Sequence, residues 1–321
     1  MLRASLFGPR ASETVDDWRA AVADLRDDEL LWIDSGDPDE DEAAALAKTF
    51  DLPESWSLRP TGDQGAARLV NDGARMHLTV YATRGSPEDP RLSELVCLAG
   101  PNWVVTLHAE DVETIDEFRE HATGGGQVGA LDAPTFVAML LEWVVTGYVR
   151  AFEQVEAELE ELDADAMAHP PADAQSALGR LVTMRRTIGR LRRALAPHRE
   201  LVTALAHPEL DALSTEESGE RFAQLEGRLD AALAAARDAK DSVIGSFDVV
   251  IARTEFRTNE IVNVLTLFTV MLLPATVLGG IMGMNFKAGF FDYAWLFWVV
   301  VAAMAVVAAA LATIARRRHG I

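Results

Sequence analysis

The sequence predicts an α+β soluble body, an α/β sheet with helices, followed by a long stalk helix and a two-helix transmembrane hairpin. Three patterns carry that reading. Residues 1–123 alternate short apolar runs with Gly, Asn, Asp and Pro turn signals. Residues 124–260 place apolar side chains at steps of three and four. Finally, Ile261–Phe286 and Tyr293–Ala315 contain no charged side chain. Each run is long enough for the apolar helix of about 20 residues that a bilayer core requires.

In the first region Thr14–Arg26 reads as a short amphipathic helix, and Leu30-Leu31-Trp32-Ile33 as a compact apolar strand. Ala67–Val70 and Arg75–Ala82 form a hairpin around Asn71-Asp72-Gly73, a strong turn signal. Met76, Leu78 and Val80 alternate with His77, Thr79 and Tyr81, which predicts one buried face. Leu95–Leu98 and Trp103–His108 make a second pair around Gly100-Pro101-Asn102, and Gly124-Gly125-Gly126 marks a boundary.

The second region is helical. Val145, Tyr148, Phe152, Val155, Leu159, Leu162 and Ala166 make a heptad-like seam, with Glu153, Glu156, Glu158, Glu160 and Glu161 on the solvated faces. Pro170-Pro171 ends that helix. The next turns Leu178, Leu181, Met184, Ile188, Leu191 and Leu195 inward and stops near Pro197. Ser214-Thr215-Glu216-Glu217 offers a capping box for a third helix, and no proline intervenes before Pro274. One helix therefore runs from Glu216 through Asn259 into the first uncharged stretch, despite Gly219, Gly227 and Gly245.

Charge sets the orientation. Of the formal net charge of −21, the residues after Glu260 contribute +3 through Lys287, Asp292 and Arg316 to Arg318, so the first 260 carry −24. A surface that acidic excludes nucleic acid as a partner. It suits solubility in a salt-rich cytosol, given only three lysines, and it also suits the gathering of divalent cations. The lone Cys97 excludes an intramolecular disulfide and a cysteine zinc site, and predicts a packed thiol. Met1–Ala20 lacks the apolar core of a cleavable signal peptide. Arg316-Arg317-Arg318 after the second span, and Arg253 and Arg257 before the first, place both termini in the cytoplasm of a cell-membrane protein.

The two spans, about 261–282 and 294–315, are separated by a short outer loop, 283–293, that opens with Gly283-Met284-Asn285. Within the first span Asn259, Val262, Leu265, Thr269, Leu273, Thr276 and Gly280 share one face. Polar groups inside a bilayer are costly unless they face protein or water. By spacing alone two readings stand: a pore lining, and a plain anchor in which Gly279 and Gly283 pack helices. A two-span chain encloses a pore only as an oligomer. The stripe is neutral, which suits an ion that keeps its water, as Mg²⁺ does. Leu265 and Leu273 would form apolar rings able to gate by dewetting, and Pro274 gives a site for bending.

Three blocks of this segment, Thr258–Thr266, Leu273-Pro274-Ala275-Thr276 and Gly279–Phe286, resemble the CorA family of magnesium and cobalt transport proteins. Trp32-Ile33-Asp34, Trp103–His108, and Leu191-Arg192-Arg193 before Pro197-His198-Arg199 are similar to family patterns more loosely. The resemblance implies a homopentameric funnel, with the first span lining the pore and the second forming an outer ring. It implies Gly283, Met284 and Asn285 as selectivity filter at the outer mouth, and Asn259 as a polar ring at the inner end. It also implies Mg²⁺ as both cargo and closing signal, with no cofactor. Acids such as Asp34, Asp37, Glu226, Asp230 and Asp238 abound, but no spacing singles out a regulatory metal site.

The outer loop departs from the family pattern. Many members carry Met-Pro-Glu there, whereas this chain has Lys287-Ala288-Gly289-Phe290-Phe291-Asp292. Copies of Lys287 near the mouth repel a divalent cation, with Asp292 a partial counterweight. That leaves Co²⁺, Ni²⁺ and a proton-coupled Zn²⁺ transporter of the ZntB type as alternatives. A membrane-tethered sensor that conducts nothing is the alternative of another class. An enzyme is not expected, since no P-loop, nucleophile elbow or HExxH zinc motif is present and the seven histidines are scattered.

Overall fold

In the computed structural model the described residues are 2–9, 12–58, 60, 67–85, 89–124, 132–168, 174–206, 215–283 and 294–319. They divide into two compact units, Met1–Ala164 with Gln175–Asp248, and Asp165–Ala174 with Val249–Ile321.

The first unit is built on a seven-stranded sheet. Its strands are β1 (Leu2–Phe7), β2 (Ser12–Val15), β3 (Leu30–Gly36), β4 (Arg68–Asn71), β5 (Met76–Arg84), β6 (Arg91–Ala99) and β7 (Trp103–His108), in the order β2-β1-β3-β7-β6-β5-β4. All pairs are antiparallel except β3 with β7, whose register sets Asp34 opposite Thr106. Both expected hairpins are present. In the first, Gly73 adopts φ 92°, and the Asn71 side chain accepts its N–H at 2.8 Å. In the second, Gly100 N–H donates to the Trp103 carbonyl at 3.0 Å.

The expected helix over Thr14–Arg26 is shorter. Residues 12–15 pair with β1 as an edge strand, and the Asp17 carboxylate caps α1 (Trp18–Asp24) by accepting from Arg19 and Ala20 N–H. Three helices and one strand have no counterpart in the sequence reading: β1, α2 (Glu40–Thr49), α3 (Glu113–Gly124) and α6 (His198–Ala206). In α2 only Ala43 and Leu46 are buried, too few to show a period.

Helices and apolar connections cover both sheet faces. On one, Leu31, Ile33, Val105, Leu107 and Leu98 pack with Trp18, Leu46, Phe50 and Trp56. On the other, Trp32 meets Phe118 of α3 (Glu113–Gly124) and Phe136 of α4 (Ala133–Ala168), with centroids 5.5 and 5.2 Å away. Burying each such side chain stabilises the fold by about 1.5–3 kcal/mol. The single buried face expected for β5 is therefore replaced by two, with His77 stacked on Trp56 at 5.3 Å. Cys97 is fully buried, and burial pushes its thiol up to about 12.

The helical part follows its seams. In α4 the buried residues include Val145, Tyr148, Phe152, Val155, Leu159, Leu162 and Ala166. In α5 (Ala174–Leu195) they are Leu181, Met184, Ile188, Leu191 and Leu195. A third seam, Phe222, Leu225, Leu229, Ala232, Ala236, Ala239, Val243, Ser246 and Val250, runs along α7 (Glu216–Gly283). Steps of three and four throughout gather the buried residues of each helix on one face. Arg228 of α7 reaches Glu142 and Ser246 reaches Asp163, so α4 and α7 run in the same direction.

The start of α7 is capped one residue later than the capping box predicts. Thr215 Oγ1 accepts the Ser218 N–H at 3.2 Å, and Ser218 Oγ accepts the Thr215 N–H at 2.9 Å. The helix then runs 68 residues to Gly283 with Pro274 inside it. Gly219, Gly227 and Gly245 are accommodated in open space. In the second unit, α8 (Ala294–His319) follows.

Candidate ion-conducting segment

The expected stripe lies on α7. Asn259, Val262, Leu265, Thr269, Leu273, Thr276 and Gly280 are all exposed, Leu265 at 63%. With 3.6 residues per turn they fall within an arc of about 120°. Apolar exposure continues around the helix through Val264, Phe268, Val270 and Leu272. A helix apolar on all sides is stable only when something apolar surrounds it.

Two helices among the described residues are long and apolar enough to cross a membrane. In Ala133–Ala168 the apolar window is 61% buried, as in the core helix of a soluble body; in Glu217–Pro274 it is 0% buried. Within α8 the described apolar stretch is the shorter Trp298–Val307.

The threonines of the segment are committed in one respect and free in another. Thr269 Oγ1 donates to the Leu265 carbonyl at 2.9 Å, and Thr276 Oγ1 to the Leu272 carbonyl at 2.8 Å. With its hydrogen used inside the helix, each hydroxyl offers only lone pairs outward. A hydrated cation presents water protons, and an acceptor is what those protons need. Gly283 closes α7; Met284 and Asn285, with Lys287 and Asp292, lie outside the described residues.

A separate polar cluster sits at the ends of β3 and β7. Asp34 is buried, its Oδ1 accepting from Thr106 Oγ1 and its Oδ2 from Arg119 Nη2, both at 2.5 Å. Thr106 Oγ1 in turn accepts the indole N–H of Trp32 at 3.0 Å, and the Arg119 guanidinium lies 4.4 Å from the Trp32 ring centroid. His108 Nε2 stands 3.4 Å from Asp34 Oδ1, an ion-pair distance without hydrogen-bond geometry. Burial pulls His108 down, but the adjacent Asp34 carboxylate, joined by the Glu110 carbonyl and Asp111, raises the imidazole above its ordinary value. The sequence gives no hint of this cluster beyond the Trp-Ile-Asp run. Of the other named acids, Asp230 pairs with Arg199 and Glu226 accepts from Thr203, while no group of three His, Cys, Asp or Glu that could hold a metal occurs among the described residues.

A mixed α/β body and an unburied helix long and apolar enough to cross a membrane mark the chain as a membrane-protein candidate. The chain is similar to several solved and curated membrane transport proteins. One is the complete structure of the CorA magnesium transporter from Methanocaldococcus jannaschii, with a TM-score of 0.79 and 21% identity over 100% of this chain and 99% of that one. Another is the full-length CmaX structure, with a TM-score of 0.71 and 21% identity over 96% and 97%. In sequence, the divalent cation transporter CmaX of Pseudomonas aeruginosa is 26% identical over 83% of this chain and 79% of its own. The cobalt/magnesium transport protein CorA of M. jannaschii is 23% identical over 91% and 92%. The model of the CorA-like Mg²⁺ transporter protein family matches residues 27–317, and the chain belongs to that family.

Proposed function

We propose that this protein carries divalent metal cations, Mg²⁺ foremost, across a membrane through a pore lined by the α7 stripe. The carrying observation is that stripe: it is uncharged and exposed, and the back-bonded Thr269 and Thr276 offer only acceptors. Mg²⁺ gives up water reluctantly, so a lining that accepts hydrogen bonds from its hydration shell selects it without stripping it. Family membership and the relatives named for magnesium, cobalt and divalent cation transport support the same reading.

In this reading residues 1–123 are the cytosolic α/β part, 124–260 the helical part with its stalk, and 261–318 a membrane hairpin. The hairpin consists of spans at about 261–282 and 294–315 joined by the outer loop 283–293. Both termini are cytoplasmic. Five copies surround the pore, with Asn259 at its inner end and Gly283, Met284 and Asn285 forming the filter. Intracellular cation closes it. Lys287 in the outer loop favours one second reading, Zn²⁺ transport driven by a proton gradient.

The test is Mg²⁺ entry into proteoliposomes under imposed voltage and no pH gradient, comparing wild type with Asn285→Ala. Uptake that vanishes in an assembled mutant supports channel and filter together. If assembled wild type, freed of internal divalent ions, takes up no Mg²⁺, the magnesium reading fails. Uptake of Zn²⁺ only with a proton gradient then establishes the second reading.

A further inference from the structure

We infer that the groove between α5 and α7 is a binding site for a polyphosphate anion. The open groove has a volume of about 730 Å³, and its lining includes Arg185, Arg186, Arg192, Arg193 and Lys240 but no acid. That composition runs against the whole chain, in which 50 acids face 29 Lys and Arg. Helix α5 carries six arginines and no acid in 22 residues. None of the five lining cations takes part in an ion pair among the described residues, whereas Arg199, just beyond α5, is neutralised by Asp230.

Helix geometry explains the concentration. Positions 185 and 186, 189, and 192 and 193 follow steps of three and four, beside the buried seam of Met184, Ile188, Leu191 and Leu195. The arginines therefore stand in successive turns on one side, with Gly189 between them. Gly189 lines the groove, and a Cβ there would sit 3.6 Å from Arg193 Nη1, an ordinary contact. Lys240 closes the opposite wall from α7.

Like charges gathered without counter-charges destabilise a helix surface, and a bound anion removes that penalty. Guanidinium groups match phosphate oxygens bidentately, and several in a row match several phosphates better than one carboxylate. The volume lies within the roughly 300–1,000 Å³ of small-ligand pockets. A concave site of that size fits a compact polyanion rather than the convex acidic face of another helix. The shared chemistry is a chain or cluster of phosphates, whether free, on a nucleotide or on a lipid headgroup. This inference stands apart from conduction, because its readout is binding to the chain and not flux.

The experiment is calorimetric titration of the full chain in detergent, with EDTA present, using tripolyphosphate and ATP. The expected result is saturable binding at one site per chain that weakens with salt. Arg186→Ala/Arg193→Ala lowers affinity at least tenfold, about 1.4 kcal/mol, while Arg199→Ala leaves it unchanged. Thermal melting and light scattering check that each variant is folded and of unaltered mass. Three results overturn the proposal. The first is no saturable binding at millimolar tripolyphosphate or ATP, and the second is equal loss in the Arg199→Ala control, which marks diffuse screening. The third is an altered assembly mass in the groove variant when wild type binds no polyphosphate, which marks an interface between copies. Repeating the ATP titration in phosphatidylcholine nanodiscs with and without phosphatidylinositol bisphosphate separates the sources. Displacement of ATP by that lipid assigns the site to a headgroup, and undiminished ATP binding assigns it to a soluble anion; either result sustains the site.

Discussion

The imidazole Nε2 of His198 accepts the backbone N–H of Tyr81 at 3.1 Å. The Tyr148 hydroxyl donates to the carbonyl of the same residue at 2.8 Å. Among the described residues the β4 ladder ends at the Arg68–Thr79 pair, and two residues further along β5 these side chains from α6 and α4 bond the N–H and carbonyl of the strand. The backbone of a buried strand thus remains hydrogen-bonded beyond that pair. Because Nε2 accepts, the proton resides on Nδ1, which donates to the Ala194 carbonyl at 2.9 Å.

His198 must therefore stay neutral, and burial pushes it down to about 4. The native state binds fewer protons than the unfolded state between that value and the ordinary 6.5. Its contribution is complete above pH 6.5 and is lost as pH falls toward 4, on the order of 3 kcal/mol in all. Thermal melting from pH 7 to pH 4 should fall less steeply in His198→Gln, which keeps an acceptor that does not titrate. Parallel pH profiles would refute the assignment.

Removing the Asp34 carboxylate leaves Arg119, whose side chain is only 14% exposed, without that counter-charge. Asp34→Asn is expected to destabilise the body by about 3 kcal/mol, as breaking a buried pair does, measured by urea denaturation. It also frees His108 from the carboxylate that raises it. In wild type the His108 contribution is present below pH 6.5 and fades as pH rises through its folded value, opposite in sign to His198. Imidazole NMR titration should show His108 shifting downward in the variant; an unmoved titration would show that Asp34 does not act on it.

Gly147 of α4 approaches β5 closely. A Cβ there would lie 2.5 Å from Thr83 Oγ1 and 3.4 Å from Thr114 Oγ1. Gly→Ala within a helix ordinarily stabilises, but here overpacking reverses the sign, with an expected loss of about 1–3 kcal/mol. Adding Thr83→Ala should recover part of it. Additive losses in that double mutant would mean the two residues do not clash.

For the proposed pore, Thr269→Val keeps the shape of the side chain and deletes its outward acceptor. Mg²⁺ flux is expected to drop about tenfold, the equivalent of roughly one lost hydrogen bond of 1.4 kcal/mol, while Thr269→Ser retains most of it. Flux equal to wild type in the valine variant would remove the hydroxyl from the conduction path.

Much of this architecture is written locally. The α7 helix is legible because nine seam positions at steps of three and four run from Phe222 to Val250, with no proline before Pro274. The hairpins are legible because Asn71-Asp72-Gly73 and Gly100-Pro101-Asn102 encode their own turns. The uncharged runs and the Gly283-Met284-Asn285 motif are properties of composition alone. Such signals need only neighbours within a few residues, so one chain displays them in full.

Tertiary structure decided the rest. Placing β3 parallel to β7 brings Asp34 to Thr106 across 72 positions and to Arg119 across 85, and that closure turns a strand acid into a buried ion pair. His198 reaches Tyr81 across 117 positions, converting an ordinary helix-terminal histidine into part of the sheet. The arginines of α5 look like a solvated charge run until Lys240 of α7 faces them and makes a groove. Sequence alone fixed periodicity, turns and charge along the chain. Which distant groups share a low-dielectric neighbourhood depended on packing, because burial and pairing exist only once separate elements have closed on one another.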